Sequence, residues 1–243
     1  MSFSVSFFRS LLFYFGYILS GLFASVLACL VGPFIKLEQR LVLFSLWPRF
    51  ANYFLYITCN INVVVDGLEN IPKKPCVIVS NHQGQWETFY FQYFFYPMVT
   101  VLKKELLFIP IWGWAMKLLW PVAINRGRPL ESFKKVLNEG LKRLSAGYSV
   151  LFFPEGTRKK PNEIGKYASS AFNLAVEAGV QVLPLAHNSG DCWPAHLFFK
   201  NPGTIHLKIG KPYKIRDKPS VEARKAAIWA EKCTLSFQKK VKS

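Results

Sequence analysis

CVIVSNHQGQWETF, residues 76–89, sets the reading of the whole chain. Its first five residues form a short run with β-branched Val77, Ile78 and Val79 at its centre, the signature of a buried strand, and the run gives way to polar Asn81 and His82. Glu87 lies five residues beyond His82. On one regular helix five residues turn through about 500°, which would leave the two side chains about 140° apart. They meet only where the chain bends between them, as Gly84 permits, in a loop that runs into the start of a helix. There Glu87 would take a hydrogen bond from one imidazole nitrogen, fix the tautomer and leave the other nitrogen as a general base. A capping or hydrogen-bonded loop histidine is the plainer reading of the same residues, and this strand end alone leaves both open.

The same design recurs outward from this segment. VVVDG from Val63, MVTVLKKEL from Met98, VAINRG from Val122, SVLFFPEGTR from Ser149 and VQVLPLAHNSG from Val180 are apolar runs that end in turn or polar residues. Between them lie helical patterns: residues 130–146, with Phe133, Val136, Leu137, Leu141 and Leu144 at helical spacing, and residues 167–179, which stop at Gly179. GTIHLKIGKPYKI from Gly203 reads as one or two further strands, and VEARKAAIWAEKCTLSFQKK from Val221 as an amphipathic terminal helix with a basic end. Alternating strands and helices predict an α/β fold with a mixed, mostly parallel sheet flanked by helices.

Composition frames this core. The 243 residues are 51% hydrophobic and 16% aromatic, and 31 basic residues against 14 acidic ones give a net charge of +17. So much apolar surface excludes a disordered polyelectrolyte, while the charge calls for an anionic partner: nucleic acid, a membrane surface or a phosphorylated substrate. The five cysteines are odd in number and widely spaced, without a C-x-x-C pair, which fits a reducing compartment. Between Arg9 and Lys36 no charge interrupts SLLFYFGYILSGLFASVLACLVGPFI, a stretch longer than the ~20 residues that cross a bilayer core. It is longer than a signal core and lacks a small-x-small cleavage site, so it is expected to be retained. LVLFSLWPRFANYFLYITCNI, from Leu41, follows the charged link KLEQR and is interrupted by Pro48 and Arg49. Together they predict a membrane-associated helical hairpin over residues 1–61, ahead of an α/β domain over 62–243. Whether it spans the bilayer or lies in one leaflet stays open, and the basic body favours a domain on the cytoplasmic side, at the plasma or inner membrane of a bacterium.

Open α/β sheets place their ligand crevice outside the carboxyl ends of the strands, and four of these ends carry chemistry. Beside His82 and Glu87 stand Glu155, Gly156, Thr157 and Arg158 on a turn after SVLFF, with Lys159 and Lys160 following. An arginine fixed on such a turn makes a bidentate contact with phosphate. Arg126 and Arg128 flank Gly127 after VAI, and Lys103 and Lys104 precede an aromatic, apolar segment. A solvated surface would scatter such charges, whereas their gathering at strand ends around one histidine points to a shared anionic ligand. His82, His187, His196 and His206 show no paired metal-ligand spacing, so no metal is expected. No G-x-S-x-G elbow is present, which argues against a serine nucleophile.

In this order, over residues 60–215, the motifs resemble the glycerolipid acyltransferase family, the PlsC-like 1-acyl-glycerol-3-phosphate acyltransferases. Asn81-His82 with Glu87, INRG with Arg126, FPEGTR over residues 153–158, and the apolar strand with Pro184 correspond to the family's four motifs, FPEGTR being the most specific. KKELLFIPIWGW resembles the lysine-bearing segment and makes Lys104 a phosphate contact. One departure is Glu87, where aspartate is commoner and the added methylene lengthens the reach to His82. A second is the extra Arg128, with Arg126 favoured by position.

The resemblance implies transfer of a fatty acyl group from a coenzyme A or acyl carrier protein thioester to the hydroxyl of a lysophospholipid, with no other cofactor. His82 would act as general base oriented by Glu87; Lys104, Arg126 and Arg158 would bind the acceptor's phosphate, and Glu155, with Gly156 and Thr157, would meet the acceptor or brace the arginines. The expected partners are a membrane lipid acceptor, the acyl donor and an anionic membrane surface, with nucleic acid not expected. A related enzyme with another acceptor, or a non-enzymatic basic membrane protein that binds anions, are the alternatives.

Overall fold

The computed structural model describes residues 3–161, 163–195 and 197–242. His196, named above among the histidines, lies outside the described residues. Seven strands form one sheet: β1 (Ile61–Asp66), β2 (Val77–Ser80), β3 (Met98–Lys103), β4 (Val122–Ile124), β5 (Ser149–Phe152), β6 (Val182–His187) and β7 (Gly203–Ile209). Their order across the sheet is β1-β7-β6-β2-β5-β3-β4. The block from β6 to β4 is parallel throughout, so five strands end on the same edge. β7 runs antiparallel to β6 and parallel to β1, which sends the ends of β1 and β7 to the opposite edge. The sheet is thus mixed and mostly parallel, as the alternation of strands and helices predicts.

The central strands β2 and β5 are apolar except for Ser80 and Ser149 because both faces are covered. Along β2 and β5, Val77, Val79, Val150 and Phe152 join one core, and Ile78 and Leu151 the other. The first core lies under α5 (Pro129–Ser145), α6 (Ser170–Ala178) and α8 (Pro219–Lys242). The second lies under α1 (Phe3–Val31), α2 (Leu37–Cys59) and α3 (Trp86–Phe94). α4 (Trp112–Lys117) and α7 (Ser189–Cys192) are short connections. The helix predicted from residue 167 begins instead at Ser170, because the Ala168 N–H bonds to the Pro154 carbonyl at 2.9 Å and holds the approach to the helix against the loop after β5. Among the described residues one strand, β7, forms near the end of the chain, with an isolated bridge from Val182 to Tyr213 beyond it.

α1 and α2 lie antiparallel. Cys59 meets the Arg9 carbonyl, Phe54 packs on Phe13 and on the bare backbone of Gly16, and Trp47 donates to the Ser20 hydroxyl at 3.2 Å. α2 runs unbroken through Pro48, the residue that with Arg49 interrupts the apolar stretch in the sequence. A proline inside a helix costs ~3 kcal/mol, and here the ring is buried where α2 packs on α1 and α3. Arg49 stays exposed, with its guanidinium 5.7 Å from the Tyr93 ring centre. The hairpin also joins the body: Phe13 is fully buried and its ring centre lies 5.0 Å from that of Trp193. Its other face is bare, since Phe8, Leu12, Phe15, Leu19, Phe23 and Leu30 form an exposed apolar stripe at helical spacing. Among the described residues one helix, Ser4–Phe34 as an apolar span, is long and apolar enough to cross a membrane.

Candidate active site

The loop after β2 carries His82 into the start of α3, the bend that the His82–Glu87 spacing requires. Gly84 sits where a Cβ would lie 2.7 Å from the Trp193 carbonyl oxygen, so the loop closes only around a glycine. His82 Nδ1 lies 2.9 Å from Glu87 Oε1, and the N–H groups of Gln83 and Gly84 each reach the same oxygen at 2.7 Å. Glu87 Oε2 accepts the Ser189 hydroxyl at 2.8 Å. Burial by itself would raise the Glu87 carboxyl, but the imidazoles of His187 and His82 and the Gly84 N–H outweigh it and hold the group well below the usual carboxylate range. An ionised Glu87 only accepts, so the proton of a neutral His82 sits on Nδ1 and Nε2 keeps the free lone pair.

FPEGTR supports this histidine from the next strand. The Phe153 ring stacks on the imidazole with centres 4.3 Å apart, and the Lys159 N–H donates to the His82 carbonyl at 2.8 Å. Glu155, placed at the acceptor or beside the arginines by the sequence, gives both carboxylate oxygens to backbone donors instead. Oε1 accepts the His82 N–H at 3.0 Å, and Oε2 the Gly165 N–H at 3.0 Å. Burial pushes its carboxyl up to about 7 against the pull of these donors and of Lys159. Gly156 takes φ +71, the conformation that turns the strand end outward. Thr157 is exposed. Arg158 is half-buried and close enough to α1 for its charge to act on the Tyr17 hydroxyl.

The other expected phosphate contacts lie along the same edge. Neighbouring strands are about 4.8 Å apart, so the ends of β5, β3 and β4 stand roughly 5, 10 and 15 Å from the end of β2. The strand whose loop carries Arg158 is therefore nearest to β2, that of Lys104 comes next, and that of Arg126 is farthest. Lys104 and Arg126 are exposed, whereas Arg128 pairs with Glu131 at 3.3 Å. Among the described residues Lys104, Arg126 and Arg158 take part in no ion pair with a carboxylate, which leaves their charge available to an anion. No group of three or more metal-ligating side chains stands together among the described residues.

Sequence reading missed the fifth loaded strand end, HNSG after β6. His187 is fully buried, and burial lowers its pKa against the opposing pull of Glu87; Nε2 lies 2.9 Å from the Asn81 carbonyl, and Nδ1 receives the Ser189 N–H at 3.3 Å. Asn81 completes the tie, with its side chain pairing to the His187 backbone at 2.9 and 3.0 Å. The signal that marks these residues in the sequence is the same as for His82: polar groups directly after an apolar strand.

A parallel sheet edge that presents a carboxylate-oriented imidazole with an open nitrogen, near cations outside any ion pair among the described residues, has the groups that could take a proton from a hydroxyl next to an anionic group. The chain matches the family model described as Acyltransferase over residues 62–188, and it belongs to that family. It is 43% identical over 203 residues to the 1-acyl-sn-glycerol-3-phosphate acyltransferase of Pseudomonas aeruginosa, an alignment covering 83% of this chain and 79% of that protein. A chloroplastic 1-acyl-sn-glycerol-3-phosphate acyltransferase of Brassica napus is 32% identical over 208 residues, covering 80% of this chain and 59% of the plant protein. The crystal structure of the 1-acyl-sn-glycerophosphate acyltransferase PlsC from Thermotoga maritima shares the fold, with a TM-score of 0.77 over 95% of each chain at 23% identity.

Proposed function

We propose that the protein transfers a fatty acyl group from an acyl thioester, of coenzyme A or acyl carrier protein, to the free hydroxyl of 1-acylglycerol-3-phosphate, giving phosphatidic acid. The observation that carries this reading is the 2.9 Å contact from Glu87 to His82 Nδ1, which leaves Nε2 as the base. Nε2 takes the hydroxyl proton as the oxygen attacks the thioester carbonyl, and ionised Glu87 stabilises the imidazolium that forms. As the tetrahedral intermediate collapses the C–S bond breaks, and the imidazolium returns the proton to the departing sulfur. No acyl-enzyme is needed, and a base so placed contributes ~10²–10⁴-fold. Arg158, with Lys104 and Arg126 further along the edge, binds the phosphate, and Gly156 and Thr157 shape the turn that presents Arg158.

The bare apolar stripe of α1 supports the reading of the hairpin over residues 1–61 as the membrane-associated part, since an acceptor that keeps one acyl chain resides in the bilayer. An apolar cavity of about 340 Å³, with Gly21, Trp47, Phe50, Trp112 and Met116 in its wall, opens between α1, α2 and α4 and suits an acyl chain. The basic body then rests on anionic lipid at the cytoplasmic face, each nearby Lys or Arg adding ~1 kcal/mol. Purified protein supplied with labelled acyl thioester and equal amounts of 1-acylglycerol-3-phosphate, glycerol-3-phosphate and lysophosphatidylethanolamine should label phosphatidic acid. Preferential labelling of another product would overturn the acceptor assignment.

A further inference from the structure

We propose that Ser189 is a positioning residue for acyl transfer: its hydroxyl holds the Glu87 carboxylate in the orientation that serves His82. The proposal rests on the reading of His82 as the base. Glu87 is fully buried and its two oxygens are unequally served. Oε1 takes three donors, from His82, Gln83 and Gly84, at 2.7–2.9 Å, whereas Oε2 has one among the described residues, Ser189 Oγ at 2.8 Å. A buried carboxylate oxygen stripped of its sole donor is strongly penalised, so without Ser189 the carboxylate gains by rotating or by admitting water. Either change loosens its hold on Nδ1.

Ser189 is itself fixed from several sides. It opens α7 directly after β6, is fully buried, and donates its N–H to His187 Nδ1. The next residue, Gly190, donates to the Gln83 side chain at 3.0 Å, which binds this turn to the His82 loop. The serine is no nucleophile in this arrangement, because its hydroxyl faces the carboxylate and not the imidazole. It stands just beyond the span of the family match, which ends at residue 188. The other titratable groups packed around the pair are His187 at the end of β6, and Glu155 and Lys159 on the loop after β5.

The test is Ser189→Ala and Ser189→Cys, assayed for acyl transfer to lysophosphatidate across pH 5.5–9 beside wild type and His82→Ala. Loss of a charge-assisted hydrogen bond should lower kcat ~10-fold with little change in either KM. A carboxylate that has loosened its hold on Nδ1 stabilises the protonated imidazole less, so the acidic limb of the kcat profile should move to lower pH, which a packing defect alone would not do. Ser189→Thr, which keeps the hydroxyl, should return the limb to its wild-type position. Wild-type kcat and an unmoved acidic limb in Ser189→Ala would overturn the proposal. If that variant fails to melt cooperatively, Ser189→Cys, with its similar volume and weaker donor, decides by the same two readings. Full activity in His82→Ala would instead strike at the base assignment and leave the Ser189 profile to be read separately.

Discussion

Replacing Glu87 by glutamine removes a charge and little else. The N–H groups of Gln83 and Gly84, both 2.7 Å from Oε1, only donate, so they force the amide oxygen into the Oε1 position and hold the amide NH₂ at Oε2. Ser189 Oγ can accept there as readily as it donates. The oxygen still meets His82 Nδ1 at 2.9 Å, and the tautomer is kept. What is lost is the difference between a charge-assisted hydrogen bond, ~1.5–3 kcal/mol, and a neutral one of ~1 kcal/mol, at the moment the imidazolium forms. That difference of ~0.5–2 kcal/mol lowers kcat ~2–30-fold. Steady-state release of the free thiol at saturating lysophosphatidate reads kcat, and KM for the acceptor should hold because Glu87 touches no phosphate. The folded carboxyl lies below its ordinary value of 4.5, so ionised Glu87 stabilises the fold above that pH and the contribution is lost on acidification. Glu87→Gln should therefore flatten the acid side of the stability profile. Wild-type kcat across the pH range would refute the reasoning, because it would mean the charge beside Nδ1 plays no part.

Arg158→Ala should raise KM for lysophosphatidate more than Arg126→Ala does, since β5 neighbours β2 while β4 is three strands away; a change confined to the donor's KM would contradict the phosphate assignment. Gly84→Ala places a Cβ 2.7 Å from the Trp193 carbonyl oxygen and should cost ~1–3 kcal/mol, read as a lowered Tm together with lost activity. Glu155 has a folded carboxyl raised from 4.5 to about 7, so the native state holds its proton between those values while the unfolded state releases it, and stability should fall as pH climbs through that window. Thermal melts from pH 4.5 to 8 should show this slope in wild type and lose it in Glu155→Gln.

The sheet was legible because its central strands are buried on both faces. Continuous apolar runs such as VIVS and SVLF need no partner to be recognised, and they stop where the chain leaves the core. The bend between His82 and Glu87 follows likewise from helix geometry together with Gly84. Long-range hydrogen bonding was hidden. Nothing local to Glu155 shows that its oxygens will meet the N–H groups of His82 and Gly165, because only the β2–β5 pairing brings the two loops together. Ser189 was hidden for the same reason, its partner lying 102 residues earlier in the first turn of α3, beyond the neighbouring β2. The unbroken course of α2 through Pro48 depends on packing against α1 and α3, which outweighs a local preference that the sequence displays openly.

The central claim is that His82 removes the acceptor's proton, and the most direct measurement is transfer of a labelled acyl group from thioester to lysophosphatidate by His82→Ala beside wild type, with melting curves for both. The expected result is an intact fold with the rate down by ~10²–10⁴. A folded His82→Ala enzyme that forms phosphatidic acid at the wild-type rate would contradict the account.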